Sequence, residues 1–255
     1  MSQMPAATRA LRVLRFLSGQ PDPVPLDRIA HAVGLPRSSA YHLVTAMIAE
    51  GFVTHLPEEH RYGLGVAAFE VGSGYARQAP LQRIAHRPLA ELVDALGHSA
   101  HLAVLHGRDV LYVLEERAPG RPPLVTDVGV RLPAPLTASG RAILAALPGR
   151  QVRALFPDRD AFVQRNRPGP GSPSALRVLL AETRQRGFAT EDGEVTPGFA
   201  SVATAVLDHN GHPVAGVAVT YPSDPGHDPR IVKAVRGTAE AITRRLVGRS
   251  TGRAR

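Results

Sequence analysis

Residues 26–49, LDRIAHAVGLPRSSAYHLVTAMIA, decide the architecture of this chain. Leu26, Ile29, Ala30 and Val33 recur at helical spacing and predict a short helix over 26–33. Gly34 stops it, as the left-handed residue that commonly follows a helix. Pro36 suits the first turn of a second helix, where a missing N–H is harmless. Over 37–49 the apolar stripe is Ala40, Leu43, Val44 and Met47, while Ser38, Tyr41, His42 and Thr45 lie largely on the other face. Short helix, tight turn and polar-faced helix make a helix-turn-helix, whose second helix lies in the DNA major groove. A plain amphipathic helix pair would show the same stripe. The next residues favour the DNA reading: Gly51-Phe52-Val53, an acidic turn and Arg61-Tyr62-Gly63-Leu64 predict a hairpin wing.

Working outward, Leu11, Val13, Leu14 and Leu17 fit an opening helix that stops at Ser18-Gly19, and the Pro-rich residues 20–25 cannot be helical. Residues 64–77 read as a linker helix weakened by glycines, and Gln78-Ala79-Pro80 as a domain boundary. An amphipathic helix follows over 81–96, with Pro88 expected to kink it. HLAVLHG (101–107) and DVLYVLEE (109–116) predict a hairpin, and PLVTDV (123–128) a third strand. Helices are expected at 139–147, near 150–155 and at 174–186, where Gly187 ends the last. ASVATAVLD (200–208) and PVAGVAVTYP (213–222) predict a second hairpin around Asn210-Gly211. A final helix over 228–247 precedes a basic tail expected to be disordered, and no internal repeat is visible.

At 255 residues and 44% apolar composition, the chain has room for two modest domains with real cores. It has no cysteine, which excludes disulfides and thiolate chemistry. The N-terminus lacks a signal pattern, and no apolar run approaches the roughly 20 residues that span a bilayer. A soluble, cytoplasmic protein is the expectation, with no membrane partner. The net charge of +8 invites a nucleic-acid reading, but its distribution does not support one. Residues 1–75 hold six arginines (9, 12, 15, 28, 37, 61) against six acids (22, 27, 50, 58, 59, 70), so the head is formally neutral. Five arginines fall in the last twelve residues, and Lys233 is the single lysine.

The motifs GLPRSSAYHLVTAMIAEGFV, RYGLG, LTASGRAILAALP and RGFATEDGE and the paired strands ASVATAVLD and PVAGVAVTYP, in this order, resemble the IclR family of bacterial transcription regulators. The resemblance covers roughly residues 8–247. It implies an α+β chain: a winged helix-turn-helix (1–65), a linker helix (66–79), and an α/β effector-binding and oligomerisation domain (80–248) with a mainly antiparallel, GAF-like sheet, before a basic tail (249–255). It also implies a double-stranded DNA operator, self-association as a dimer or dimer of dimers, and a small-molecule effector, often a carboxylic or aromatic acid.

On the head, Arg37 opens the second helix, where it can reach a phosphate or a guanine edge. Ser38, Ser39 and Thr45 carry short hydroxyls that allow close approach, Tyr41 and His42 reach further, and Arg61 on the wing is a phosphate contact that positions rather than specifies. A solvated helix face is the bland alternative. Arg9 and Arg12 could touch the DNA backbone or simply be solvated.

In the second domain, Thr137-Ala138-Ser139-Gly140-Arg141 leads into an apolar helix, with Thr137 or Ser139 as its cap. A helix start exposes N–H donors and can hold a carboxylate, and Gly140 would allow a ligand near the backbone. By itself this is an ordinary capped helix; the resemblance makes it the effector site. Glu191-Asp192-Gly193-Glu194 reads by itself as a solvated acidic loop. The resemblance places Glu191 facing the ligand, Phe199 as an apolar wall, Ser201 where some members have cysteine, and Ala218 and Thr220 where the family often has serine. Pro135 stands where many members have histidine. These departures imply a pocket less polar than the family pattern, suited to an aromatic or larger acid.

Two other function classes remain open from the residues alone. One is an enzyme behind a DNA-binding head. Against it, the chain has no GxSxG elbow, no P-loop lysine and no HExxH, and so no implied cofactor. His98, His101 and His106 are the one metal-like cluster, and 101 and 106 point to opposite faces of a strand. The other is an architectural DNA-binding protein that uses its basic tail.

Overall fold

The computed structural model describes residues 5–78, 80–122, 124–223 and 228–251. The chain divides into two compact units, Met1–Ala79 and Pro80–Arg255.

In the first unit, α1 (Pro5–Ser18), α2 (Leu26–Val33) and α3 (Arg37–Ala49) pack around Val13, Leu17, Ile29, Val33, Ala40, Val44 and Met47, all buried. The expected stripe is therefore the core face, with Leu43 at its half-buried edge. Gly34 ends α2 in the left-handed region at φ +65°, and Pro36 caps α3 from one position before its first turn. Strands β1 (Val24–Pro25), β2 (Val53–Leu56) and β3 (Arg61–Leu64) form a small antiparallel sheet in the order β1-β3-β2, the expected wing. Gly65 lets the chain leaving β3 pass close to the connection between α3 and β2: a Cβ there would collide with the Gly51 carbonyl. Helix α4 (Val66–Gln78) follows.

The second unit is a six-stranded sheet in which every neighbouring pair is antiparallel. Its strands are β4 (Ser99–His106), β5 (Asp109–Glu116), β6 (Arg131–Pro133), β7 (Ala189–Asp192), β8 (Phe199–Leu207) and β9 (Pro213–Pro222), in the order β6-β5-β4-β9-β8-β7. Helices α5 (Pro80–Leu96) and α9 (Pro229–Thr251) cover one face, packing Leu89, Val235 and Ile242 against Leu102, Val202, Val217 and Val219. The opposite face carries α6 (Ala138–Ala146), with α7 (Gly149–Leu155) and α8 (Pro173–Arg186) completing a second core around Ile143, Leu144, Phe156 and Leu180.

Because the sheet is covered on both sides, its central strands are apolar almost throughout, and alternation marks the face rather than solvent. Two cross-strand rungs on the α6 side position the site. One runs Glu191–Ser201–Thr220–Ser99 across β7, β8, β9 and β4, and the next Ala189–Ala203–Ala218–His101. The alanines let α6 come close, with Ala138 and Ala142 resting on them. Gly216 on β9 makes this possible: a Cβ there would lie 2.8 Å from the Ser139 carbonyl oxygen.

Three expectations need correcting. The strand expected at 123–128 is absent among its described residues, and the edge strand is β6 instead (Pro123 itself lies outside the described residues). The alternation there is real, because Leu124 and Thr126 turn inward while Val125 and Val128 are exposed. It serves a covering loop rather than a ladder, with Leu124 and Thr126 lining the cavity beneath. Glu191 and Asp192, read by themselves as the start of a solvated acidic loop, are the last two residues of β7. Finally, α9 continues to Thr251, so the basic tail begins as helix; residues 252–255 lie outside the described residues.

Candidate functional site

The first unit presents its polar helix face beside the wing. Ser38, Ser39, Tyr41, His42 and Thr45 are all exposed on α3, Tyr41 at 52%. Tyr41 and His42 meet edge to face, with ring centroids 5.9 Å apart. The Thr45 hydroxyl donates to the Tyr41 carbonyl at 2.8 Å, leaving its oxygen as an acceptor. Arg61 donates from Nη1 to the Pro23 carbonyl at 2.9 Å, which ties it to the base of the wing. Arg37 Nη1 donates to both oxygens of Asp27 on α2, each at 2.7 Å. An open cleft between α3 and the wing brings together Asp27, Arg37, Ser38, Tyr41, His42 and the wing residues His55, His60 and Tyr62. His55 and Tyr62 stack at 4.6 Å, giving the wing a rigid aromatic side. Ser39, Thr45 and Arg61 lie outside this cleft. The polar stripe was visible in the sequence, but Asp27 was not singled out, because an acid in a helix's first turn reads as a dipole partner.

The second unit holds a closed cavity where the start of α6 faces the sheet. Its walls are His101, Tyr112, Leu124, Thr126, Thr137, Ala138, Ser139, Glu191, Val195, Thr196, Ser201, Ala218 and Thr220. Five residues expected from the resemblance therefore meet there: Ser139, Glu191, Ser201, Ala218 and Thr220. Gly140 and Phe199 do not line it. Gly140 faces the 3-10 turn Ala134–Leu136, and a Cβ on it would lie 2.2 Å from the Ala134 carbonyl oxygen, so its close neighbour is protein backbone. Pro135, in the same turn, accepts from Arg141 Nε at 2.8 Å through its carbonyl.

Thr137 caps α6, accepting from the Gly140 N–H at 2.9 Å. Ser139 is thereby left free of capping duty, and its Oγ is fully buried with no well-formed hydrogen bond, its polar neighbour being the Tyr112 hydroxyl. His101 is equally buried: Nε2 lies 2.8 Å from the Thr126 hydroxyl and 3.7 Å from Glu115, while Nδ1 has no partner. Groups so placed are rare in native interiors and mark a site that something else completes. Glu191 accepts from the Ser201 hydroxyl at 2.7 Å, and Ser201 stands 3.0 Å from Thr220. Burial pushes the Glu191 carboxyl up to about 7, against the Ser201 hydrogen bond and with the help of the nearby Glu194 charge. The Tyr112 hydroxyl is pushed up as well, first by burial and then by the Glu191 charge.

Arg141 is turned away from the cavity. Its Nη2 meets Glu194 at 2.7 Å and its Nη1 donates to the Thr190 carbonyl at 2.6 Å. Glu194 is therefore a strut for the 190–195 segment, not part of a solvated loop. The lining also holds polar groups that the resemblance did not single out, His101, Tyr112, Thr126 and Thr137. They come from β4, β5, the covering loop and the α6 cap, and no short motif joins them. Among the described residues no group of three His, Cys, Asp or Glu could hold a metal ion, and no helix is long and apolar enough to cross a membrane.

Against known protein families, residues 6–57 match the model of the IclR helix-turn-helix domain and residues 73–244 that of the bacterial transcriptional regulator IclR C-terminal domain. The chain belongs to the IclR family. This IclR-family protein is 32% identical over 243 residues to the glycerol operon regulatory protein of Streptomyces coelicolor, covering 93% of this chain and 94% of that one. It is 28% identical over 233 residues to the transcriptional repressor IclR of Escherichia coli, covering 91% and 85%. An IclR homolog of Microbacterium hydrocarbonoxydans, solved in complex with 4-hydroxybenzoate, shares the fold with a TM-score of 0.79 at 21% identity, over 94% of this chain and 98% of that one. The protein is thus a DNA-binding transcriptional regulator and not an enzyme.

Proposed function

We propose that this regulator is ligand-responsive: paired heads hold a repeated double-stranded operator, and the cavity of the second unit senses a small carboxylic or aromatic acid in the cytoplasm. The observation that carries the sensing role is the buried polar lining of the cavity, in which His101 Nδ1 has no hydrogen-bond partner and Ser139 Oγ has no well-formed one. A ligand oxygen would satisfy them beside the start of α6, whose dipole favours negative charge. The raised Glu191 carboxyl supports an acid as ligand, because a protonated Glu191 donates to a carboxylate instead of repelling it. The homolog that binds 4-hydroxybenzoate carries an acid of this class.

The cavity's free volume is about 10 Å³, the room of a single water. An aromatic acid therefore enters only if the wall moves. Leu124 and Thr126 belong to the covering loop, and Thr126 is held to the wall by its contact with His101. Displacing that loop gives two states of the unit, and an effector shifts their balance by its differential affinity for them. The boundaries 1–65, 66–79 and 80–248 then separate reader, linker and sensor. The neutral head supports operator reading by Arg37, Ser38, Ser39, Tyr41, His42, Thr45 and Arg61 in two copies rather than by charge alone.

The test is a panel of aliphatic and aromatic carboxylates added to the full chain, with melting temperature and operator affinity both followed. A sensor shifts both. An acid panel that shifts neither leaves an architectural DNA-binding protein, and a panel in which only very small polar acids act removes the aromatic class.

A further inference from the structure

The pairing of Arg37 with Asp27 joins the first turns of α2 and α3, the two helices of the helix-turn-helix. Both side chains are largely exposed, Arg37 at 70% and Asp27 at 64%. An ion pair so exposed contributes little to folding, about 0–1 kcal/mol. Its effect is on the guanidinium. Nη1 is committed to the carboxylate, and no other hydrogen bond to Arg37 is found among the described residues. The Nε–Nη2 edge is therefore open, and it offers two parallel N–H donors at the spacing of guanine N7 and O6.

We infer that Asp27 is a specificity-determining positioning residue: it holds Arg37 so that the free edge of the guanidinium reads one guanine per half-site. This rests on the reading of α3 as the DNA-contacting helix. Three physical consequences of the pair favour base over phosphate as the target of Arg37. The carboxylate offsets the arginine's charge, which weakens its pull on a phosphate. It also repels phosphate oxygens that approach the same edge. And it fixes a long side chain before binding, so less rotamer freedom is lost on contact. A neutral head gains most from this arrangement, since its affinity does not rest on charge alone.

The experiment is selection of sites from a random double-stranded DNA library by the full-length protein and by Asp27→Ala, Asp27→Asn, Arg37→Ala and Arg37→Lys. Affinities for the selected site are then measured with the implicated guanine replaced by 7-deazaguanine. The expected result is a guanine preference at one position per half-site that falls about tenfold in Asp27→Ala and Arg37→Ala and less in Asp27→Asn. Binding of unrelated DNA should hold or strengthen in Asp27→Ala, because a negative charge has left the interface. The 7-deaza substitution should weaken the wild type and leave Asp27→Ala little changed. A site whose guanine preference survives Asp27→Ala, or a uniform loss across all sequences, overturns the inference and leaves operator reading intact. A wild-type chain that selects no sequence overturns both.

Discussion

Glu191 ties the stability of the second unit to pH. Its carboxyl ionises near 4.5 when unperturbed and near 7 in the fold, chiefly because burial disfavours the charge. Protonated Glu191 thus favours the folded state, fully below pH 4.5, and that contribution is lost as the pH rises to about 7. Glu191→Gln keeps the shape of the neutral form. It is expected to raise the melting temperature by a few degrees at pH 8, on the order of 1–3 kcal/mol, and to change it little at pH 5. Thermal melts of both proteins across that range check this, and a variant that is less stable at pH 8 contradicts a raised carboxyl. Glu115, beside His101, has the opposite sign. Its polar contact with His101, at 3.7 Å, and then its pairing with Arg117 hold it down at about 2 against the effect of burial, so its contribution is lost only as the pH falls from 4.5 toward 2. Neither role was visible in the sequence. By itself Glu191 stood in an acidic run that reads as solvated, though the resemblance placed it facing the ligand, and His101 was read only as part of a metal-like cluster with His98 and His106. The burial that gives both their character comes from residues far away in the chain.

Elements with local signals were legible; elements defined by what lies above them were not. Helices α2 and α3 could be read to the residue because apolar spacing and Gly34 are properties of the segment alone. The hairpin of β8 and β9 was equally plain, for its turn is local: Asp208 accepts from the Asn210 and His212 N–H groups, and Gly211 has φ +74°. The covering loop was misread as a strand, since inward–outward alternation looks the same whether it lines a cavity or joins a ladder. Gly140 was read for its freedom toward a ligand, while its absent Cβ answers the 3-10 turn. Gly140→Ala is therefore expected to destabilise the second unit by about 1–3 kcal/mol or more, because the obstructing atoms are backbone. Denaturant unfolding checks it. Thr137→Ala, which removes the α6 cap, should cost about 1 kcal/mol, and a Gly140→Ala variant no worse than that would mean the 3-10 turn yields easily.

At the scale of the whole molecule the open question is how many copies act together. Helix α4 leaves Val66 and Phe69, three residues apart on one face, 72% and 75% exposed. Large apolar side chains left so open on a helix are the kind that a second copy covers. Phe69→Glu in the full chain is expected to lower the mass measured by sedimentation and to weaken operator binding at least tenfold. An unchanged mass would place self-association elsewhere. The charge distribution fits this division of labour, since the excess of +8 lies outside the first 75 residues.

The contact between Gly216 and the Ser139 carbonyl has one more consequence. It presses the sheet against the sensor helix with no slack, so room for a larger molecule cannot come from that side. Added room has to come from above, by altering the length or side chains of the segment between β5 and β6. Such changes leave the framework untouched. On the proposed sensing role, exchanging this one loop is the route by which the chain would come to accept a larger ligand.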